Sequence, residues 1–169
     1  MPDPLATEPT RHRTITWKAP IVDVAKIAAM SGLEYLQSLV DANRPPPIAE
    51  LLNFNFIRIG PGVAVFAGTP AEYHYNPIGV VHGGLVCTLA DSAAGCAVHT
   101  TLEPGVAYTS VDITVNYLRP VTLNSGTLVV TGKVVRSGRR MALAAVEVHD
   151  GAGRLVATAT SNCPIMTLG

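Results

Sequence analysis

One short stretch carries the residues best suited to chemistry: Asn76-Pro77-Ile78-Gly79-Val80-Val81-His82-Gly83-Gly84, followed by a single acid, Asp91. It leads into an apolar segment, 85–98, whose only charged residue is Asp91. Glycines at the start of a helix leave backbone N–H groups free at the positive end of the helix dipole. A carboxylate buried two turns later is costly unless something uses it. Free donors together with an isolated acid indicate chemistry on a carbonyl group.

The composition favours one domain that associates with other copies of itself. The chain has 169 residues, enough for a single domain with a sizeable core. Twelve Lys and Arg balance twelve Asp and Glu, so no overall field favours nucleic acid or an anionic membrane. Only 14% of the residues are charged and 48% are apolar, whereas about 25% are charged in average soluble domains. We therefore expect a homo-oligomer, although a large enclosed core is an alternative explanation.

The cysteines and the apolar runs bear on the protein's location. Cys87, Cys96 and Cys163 show no Cys-x-x-Cys spacing and are odd in number, which is typical of buried thiols in a reducing cytoplasm. The longest apolar run, 78–98, is interrupted by polar residues and glycines and is not a membrane span. The lead, 1–14, has no apolar core and is expected to be disordered rather than a signal peptide. These features predict a cytoplasmic protein.

The pattern before residue 46 predicts a helical extension. Apolar residues recur at helical spacing within 21–28 and 33–40, and Ser31 with Glu34 forms a capping-box pattern that restarts the helix after Gly32. Pro45-Pro46-Pro47 ends the helix. We therefore divide the chain into an N-terminal lead and helical extension, 1–45, and a second domain, 46–169.

The second domain has the pattern of an antiparallel sheet around one central helix. Strands are predicted over 54–59 and 63–73, joined by the turn Gly60-Pro61-Gly62. A helix follows over about 83–100. Alternation of apolar and polar residues then predicts a strand over 110–117, and three more over 127–136, 140–149 and 154–164. This order indicates an α+β fold.

The motifs resemble those of a known family. The pattern Asn-x-x-Gly-x-x-His-Gly-Gly, an Asp seven residues later and Asn116-Tyr117-Leu118-Arg119-Pro120 are similar to the hotdog-fold thioesterases of the phenylacetic-acid-degradation (PaaI-like) type. The likeness covers about 46–164 and leaves the extension outside. It implies a hotdog fold and an acyl-CoA thioesterase that releases a free acid and coenzyme A.

The resemblance also implies roles for individual residues. Asn76 and the Gly83 N–H would bind the thioester oxygen, and Asp91 would act as nucleophile or as general base for water. Eight residues of helix place Asp91 about 12 Å from Gly83, too far for one thioester carbon to lie against both. We therefore expect a site at a two-fold interface, where a second subunit supplies its Asp91. Both a dimer and a dimer of dimers are compatible with this arrangement.

Other residues have supporting roles in this interpretation. His82, which can hydrogen-bond its own loop, and Gly84 would position the helix start. Ser110 would orient water, with Thr109 as the substitute if the register slips. Four arginines are candidates for the coenzyme A phosphates, although arginines at strand ends are usually solvated: Arg119, Arg136, Arg139 and Arg140. The structural alternatives are that the glycines only permit packing, that Asp91 bonds a neighbouring strand, and that Asn76 only closes its turn.

Two other functions remain open at this point. A hotdog dehydratase acting on 3-hydroxyacyl thioesters needs a histidine and an acid as its acid–base pair, which the position of His82 fits poorly. A non-catalytic acyl-CoA-binding protein would keep the fold without turnover. No cofactor is expected because coenzyme A is part of the substrate, and the histidine spacing predicts no metal site. The acyl group, aromatic or aliphatic, is left open.

Overall fold

The computed structural model describes residues 9–20 and 23–167. The extension contains two short helices, α1 (Val24–Ala29) and α2 (Gly32–Asp41). The predicted capping box is confirmed: the Ser31 hydroxyl accepts from the Glu34 N–H, and the Glu34 carboxylate accepts from the Ser31 N–H. The helix begins at Gly32 rather than after it. Ile21, the first residue of the predicted helical repeat, and residues 1–8 of the lead lie outside the described part of the chain.

The proline triplet begins a helix instead of ending one. Helix α2 already stops at Asp41, and Pro47 is the first residue of a short helix, α3 (Pro47–Leu52), that the sequence analysis missed. Proline suits this first helical position because the N–H it lacks has no partner within the helix. The predicted boundary at 45/46 thus falls between α2 and α3.

Seven antiparallel strands form the sheet, in the order β1-β2-β5-β6-β7, with β3 and β4 both paired to β7. Nine residues of the long helix α4 (Gly83–His99) are buried. A Cβ at Gly132 of β5 would lie 2.2 Å from the Ala93 carbonyl oxygen, so the helix touches the strand backbone there. The predicted α+β fold, a sheet wrapped around one helix, is confirmed. The strands are β1 (Phe54–Gly60), β2 (Val63–Gly68), β3 (Val106–Tyr108), β4 (Thr114–Tyr117), β5 (Leu128–Ser137), β6 (Met141–His149) and β7 (Leu155–Thr167).

Two strand predictions were wrong in length. Strand β2 ends at Gly68 instead of residue 73, since Pro70 lacks an N–H for the ladder and a 3₁₀ turn follows at Glu72–His74. The strand expected over 110–117 is regular only at Thr114–Tyr117, and β3 was not predicted. Between β3 and β4, the segment 109–113 runs beside β7 and makes two backbone hydrogen bonds to it, donated by the N–H groups of Thr109 and Val111.

No helix within 9–20 or 23–167 is both long enough and apolar enough to cross a membrane.

Candidate active site

The start of α4 presents one occupied and one free backbone donor. His82 is the N-cap, and its Nδ1 accepts a hydrogen bond of 2.8 Å from the Gly84 N–H. The Gly83 N–H has no partner among the described residues. Since it lies in the first turn, it points out of the helix at the positive end of the dipole. Gly83 can therefore donate to a ligand, while His82 and Gly84 stabilise the helix start.

Tyr117, at the end of β4, covers Gly83 and was missed as a site residue. Its hydroxyl donates to the Gly83 carbonyl at 3.0 Å. A Cβ on Gly83 would lie 2.9 Å from the Tyr117 ring, so a larger residue at this position would displace the ring. The strand predicted over 110–117 includes Tyr117 but assigns it no role at the site. The one available indication was its place in the motif 116–120, because the contact spans 34 residues.

Asn76 closes its own turn through its side-chain oxygen, and its side-chain nitrogen, Nδ2, has no hydrogen-bond partner among the described residues. Its Oδ1 accepts from the N–H groups of Ile78, at 3.1 Å, and Val80, at 3.3 Å. The Asn76 N–H in turn donates to the Val80 carbonyl, and the loop folds back beside the helix start. No hydrogen bond of the Asn76 Nδ2 is found within 9–20 and 23–167. The structural role considered for Asn76 is thus present, and a donor remains for a ligand.

Asp91 is exposed in the single chain, contrary to the expectation of a buried carboxylate. Its Oδ1 accepts a hydrogen bond of 2.9 Å from the Ser110 hydroxyl. Thr109 makes no bond to Asp91 among the described residues. Of the two candidates, Ser110 is therefore the one in contact with the acid.

A second acid, which the sequence analysis did not single out, anchors the segment carrying Ser110. The Asp112 carboxylate accepts from both the backbone N–H and the side-chain amide of Asn162, each at 2.9 Å. These bonds hold the pKa of Asp112 below its ordinary value. The Ser161 hydroxyl also donates to the Asp112 carbonyl, at 2.7 Å. Asp112 is thus a positioning residue, and nothing in the local sequence indicates a contact that spans 50 residues.

The two halves of the candidate site do not meet within one chain. Asn76, His82, Gly83 and Gly84 lie together at the helix start. Asp91 lies two turns further along the same uninterrupted helix, about 12 Å away along its axis, and Ser110 of the segment 109–113 is bonded to it. One carbonyl group cannot contact both halves of a single subunit.

Cys87 lies one helical turn after Gly83 and is poorly suited to act as a nucleophile. Burial, and secondarily the negative charge of Asp91, raise the pKa of its thiol. Since the thiolate is the reactive form, this thiol is largely unreactive at neutral pH. Asp91 is the better candidate for the reacting group.

The candidate arginines lie at different ends of α4. Arg119 lies near the start of α4. It is two residues from Val121, whose carbonyl accepts a hydrogen bond from the N–H of Val81, just before the helix. The Arg119 guanidinium donates to the Leu155 carbonyl. The other three candidates lie at the turn of the β5–β6 hairpin: Arg136, Arg139 and Arg140. This turn is near the C-terminal end of α4, because Ser137 contacts Thr101, which follows the helix. In one chain, only Arg119 lies beside the free donors.

Comparisons with known proteins identify thioesterases as relatives of this chain. The model of the thioesterase superfamily matches residues 78–157, which include Gly83, Asp91 and Ser110. Human acyl-coenzyme A thioesterase 13 is 33% identical over 102 residues, 60% of this chain and 71% of that protein. The PaaI protein of the E. coli phenylacetic acid degradation operon has the same fold, with a TM-score of 0.70, 22% identity, and coverage of 83% of this chain and 96% of that one.

A third protein was solved with a ligand. Smu.793 of Streptococcus mutans, bound to acetyl CoA, aligns with a TM-score of 0.62 and 27% identity over 68% of this chain and 90% of that one. The resemblance predicted from the motifs is confirmed. The chain belongs to the thioesterase superfamily, and it is a thioester hydrolase built on the hotdog fold.

Proposed function

We propose that this protein hydrolyses acyl-CoA thioesters to a free acid and coenzyme A, at a site completed by a second copy of the chain. One observation carries the proposal: the free Gly83 donor and Asp91, which is bonded to Ser110, lie on one helix about 12 Å apart along its axis. The reaction needs both within roughly 3 Å of one carbonyl group. The exposure of Asp91 in the single chain supports the proposal, because it leaves the carboxylate open to a partner.

The symmetry of such a pair fixes how the helices would lie. In a two-fold dimer, Gly83 of each chain faces Asp91 of the other, so the two copies of α4 run antiparallel. The axis then passes halfway between residues 83 and 91, beside Cys87. The helix face around it consists of small side chains, Gly84, Cys87 and Thr88. Small residues permit the approach of about 8–10 Å between axes that packed helices show.

The residues would divide the reaction between the two subunits. The Gly83 N–H and the Asn76 amide of one chain donate to the thioester oxygen as it gains negative charge. Asp91 of the partner either attacks the carbonyl carbon or takes a proton from the attacking water, and Ser110 holds its carboxylate. The carbon–sulfur bond breaks, coenzyme A leaves as a thiolate and takes up a proton, and water supplies the new oxygen of the acid. No cofactor is required.

The coenzyme A portion and the cellular setting belong to the same proposal. The neighbour from S. mutans was solved with acetyl CoA, and Arg119, beside the helix start, is the best-placed candidate for a phosphate. The three free cysteines favour a reducing, cytoplasmic setting. The balanced charge favours neither a nucleic acid nor a membrane as partner. The assembly is a dimer or a dimer of dimers.

Thiol release from a panel of aromatic and aliphatic acyl-CoAs tests the proposal. We expect one thiol and one free acid for each thioester consumed. Dehydration of a 3-hydroxyacyl thioester without thiol release would show a dehydratase instead. Tight binding of acyl-CoA without turnover would show a non-catalytic binding protein. Either result would overturn the proposal.

A further inference from the structure

We infer that the N-terminal extension builds the pocket that holds the distal, apolar end of the acyl group; this inference rests on the proposed function. A cavity of about 280 Å³ lies between the extension and the C-terminal half of α4. The part of its wall that α2, α4 and β3 supply consists of Tyr35, Leu36, Leu39, Cys96, His99 and Tyr108.

The cavity lies next to the reacting end of the site. Cys96 and His99 follow Asp91 on the same helix, about 7.5 and 12 Å along its axis. Gly95 lies one turn after Asp91, and a Cβ there would be 2.5 Å from the Tyr108 hydroxyl oxygen. Two residues after Tyr108, Ser110 bonds Asp91. The segment that positions the carboxylate therefore continues directly into the cavity wall.

The wall of the cavity is uncharged near α4. The rings of Tyr35 and His99 stack with centroids 5.7 Å apart, and those of His99 and Tyr108 meet edge to face at 5.6 Å. Burial lowers the pKa of His99 and raises that of Tyr108, so both are neutral at neutral pH. Charged lining residues, Lys18 and Arg44, donate to backbone carbonyls of the extension. An apolar ligand suits such a wall.

The dimensions define a class of acyl group. A cavity of about 150 Å³ lined by apolar side chains can bind benzene, so 280 Å³ accommodates a larger apolar group. The axial rise of about 7.5 Å from Asp91 to Cys96 is a lower bound on the path to the cavity and corresponds to roughly six carbon–carbon bonds of an extended chain. Acyl groups shorter than this do not reach the cavity, whereas longer ones gain apolar contact inside it.

The roof of the cavity consists of segments that precede β1. Its contributions from 18–20, α2 and Pro45–Pro47 all precede the part matched by the family model, 78–157. Ahead of the roof in the chain, Arg13 ties the lead to α3 by donating to the carbonyls of Glu50 and Leu51, each at 3.0 Å. The extension therefore determines which acyl groups are preferred without supplying a reacting group.

Filling the cavity tests the inference. Leu39→Trp and Cys96→Phe add bulk from opposite sides, and Val40→Trp, next to Leu39 but outside the lining, is the matched control.

The measurement is kcat/KM for acetyl-CoA and decanoyl-CoA. We expect wild type to prefer decanoyl-CoA. The two filling variants should lose at least about ten-fold on decanoyl-CoA, because several methylene groups lose their burial. Their acetyl-CoA rate should stay within about two-fold, and Val40→Trp should match wild type in both.

Two other outcomes would contradict the inference or the function on which it rests. The inference would be overturned if the filling variants have an unchanged Tm and keep the wild-type ratio of kcat/KM for decanoyl-CoA to kcat/KM for acetyl-CoA. This holds whether the variants are fully active or equally impaired on both substrates. A wild type that releases no thiol from these two substrates or from any aromatic acyl-CoA of the panel would contradict the proposed function instead. In that case, binding of decanoyl-CoA and acetyl-CoA to wild type and to Leu39→Trp can be measured by calorimetry. If Leu39→Trp binds both ligands as tightly as wild type does, or loses the same factor of affinity for both, the inference about the pocket is overturned.

Discussion

The Ser110 hydroxyl donates a hydrogen bond of 2.9 Å to Oδ1 of Asp91, which precedes it by 19 residues. This bond connects the irregular edge of the sheet to the central helix. The edge itself is held by Asp112, whose carboxylate binds Asn162 of β7. The orientation of the Asp91 carboxylate therefore depends on a strand as well as on its own helix.

Replacing Ser110 by alanine should slow turnover. A hydrogen bond to a charged group contributes about 1.5–3 kcal/mol, so we expect kcat to fall about 10- to 100-fold with KM nearly unchanged. Thr109→Ala is the matched control, because Thr109 does not contact Asp91, and it should stay within about two-fold. Steady-state thiol release checks both variants. A larger loss in Thr109→Ala than in Ser110→Ala would reverse the assignment of the two residues.

Asp91→Asn should abolish turnover while the protein still folds and assembles. The side chain is exposed, and the asparagine oxygen can still accept from Ser110, so little stability depends on the charge. Glu147→Gln, an exposed acid on β6, is the control and should leave activity unchanged. Thiol release and size-exclusion chromatography measure the two effects. Near-wild-type hydrolysis of every cleaved acyl-CoA by Asp91→Asn would refute its role.

Two variants of Asn76 separate its turn-closing role from its donor role. Asn76→Asp keeps an oxygen for the N–H groups of Ile78 and Val80 and removes the amide donor. We expect kcat to fall at least 10²- to 10³-fold, the typical loss of one oxyanion donor, with an unchanged Tm. Asn76→Ala should lose activity and also lower Tm. Unimpaired turnover in Asn76→Asp would leave Asn76 with a structural role alone.

Features that depend on neighbouring residues could be predicted from the sequence. The capping box at Ser31 and Glu34 and the helix from Gly83 follow from local patterns, as do the three long C-terminal strands. Contacts between distant segments could not be predicted. The Tyr117–Gly83 and Asp112–Asn162 bonds span 34 and 50 residues, and the latter accompanies the break in the predicted strand.

The exposure of Asp91 illustrates the same limit. The apolar composition around this acid predicts a buried helix, yet composition does not show which side of the helix the sheet covers. The motif identified the residue types at the site, and the fold was needed to show that they form two separate halves in one chain.

The proposed two-fold axis places the two copies of Cys87 close together. A bifunctional alkylating reagent that spans about 8–10 Å, the distance between packed helices, should join two 17.7 kDa chains through this residue. Because the pKa of Cys87 is raised, the thiolate is scarce at neutral pH, and crosslinking should accelerate as pH rises past the ordinary thiol value of 9.0. Gel electrophoresis measures the product. Cys87→Ser should prevent it, and crosslinking that persists through Cys96 or Cys163 would contradict the arrangement.

Complementation between two inactive variants tests the shared site most directly. Asp91→Asn and Asn76→Asp chains, co-expressed with different affinity tags, can be isolated as a heterodimer by two successive purifications. One of its sites combines the intact Asn76 and Gly83 of the first chain with the intact Asp91 of the second, and the other site carries both substitutions. Thiol release by the heterodimer should reach about half of the wild-type rate, while each variant alone stays inactive. A heterodimer as inactive as its parents would show that each site lies within a single chain.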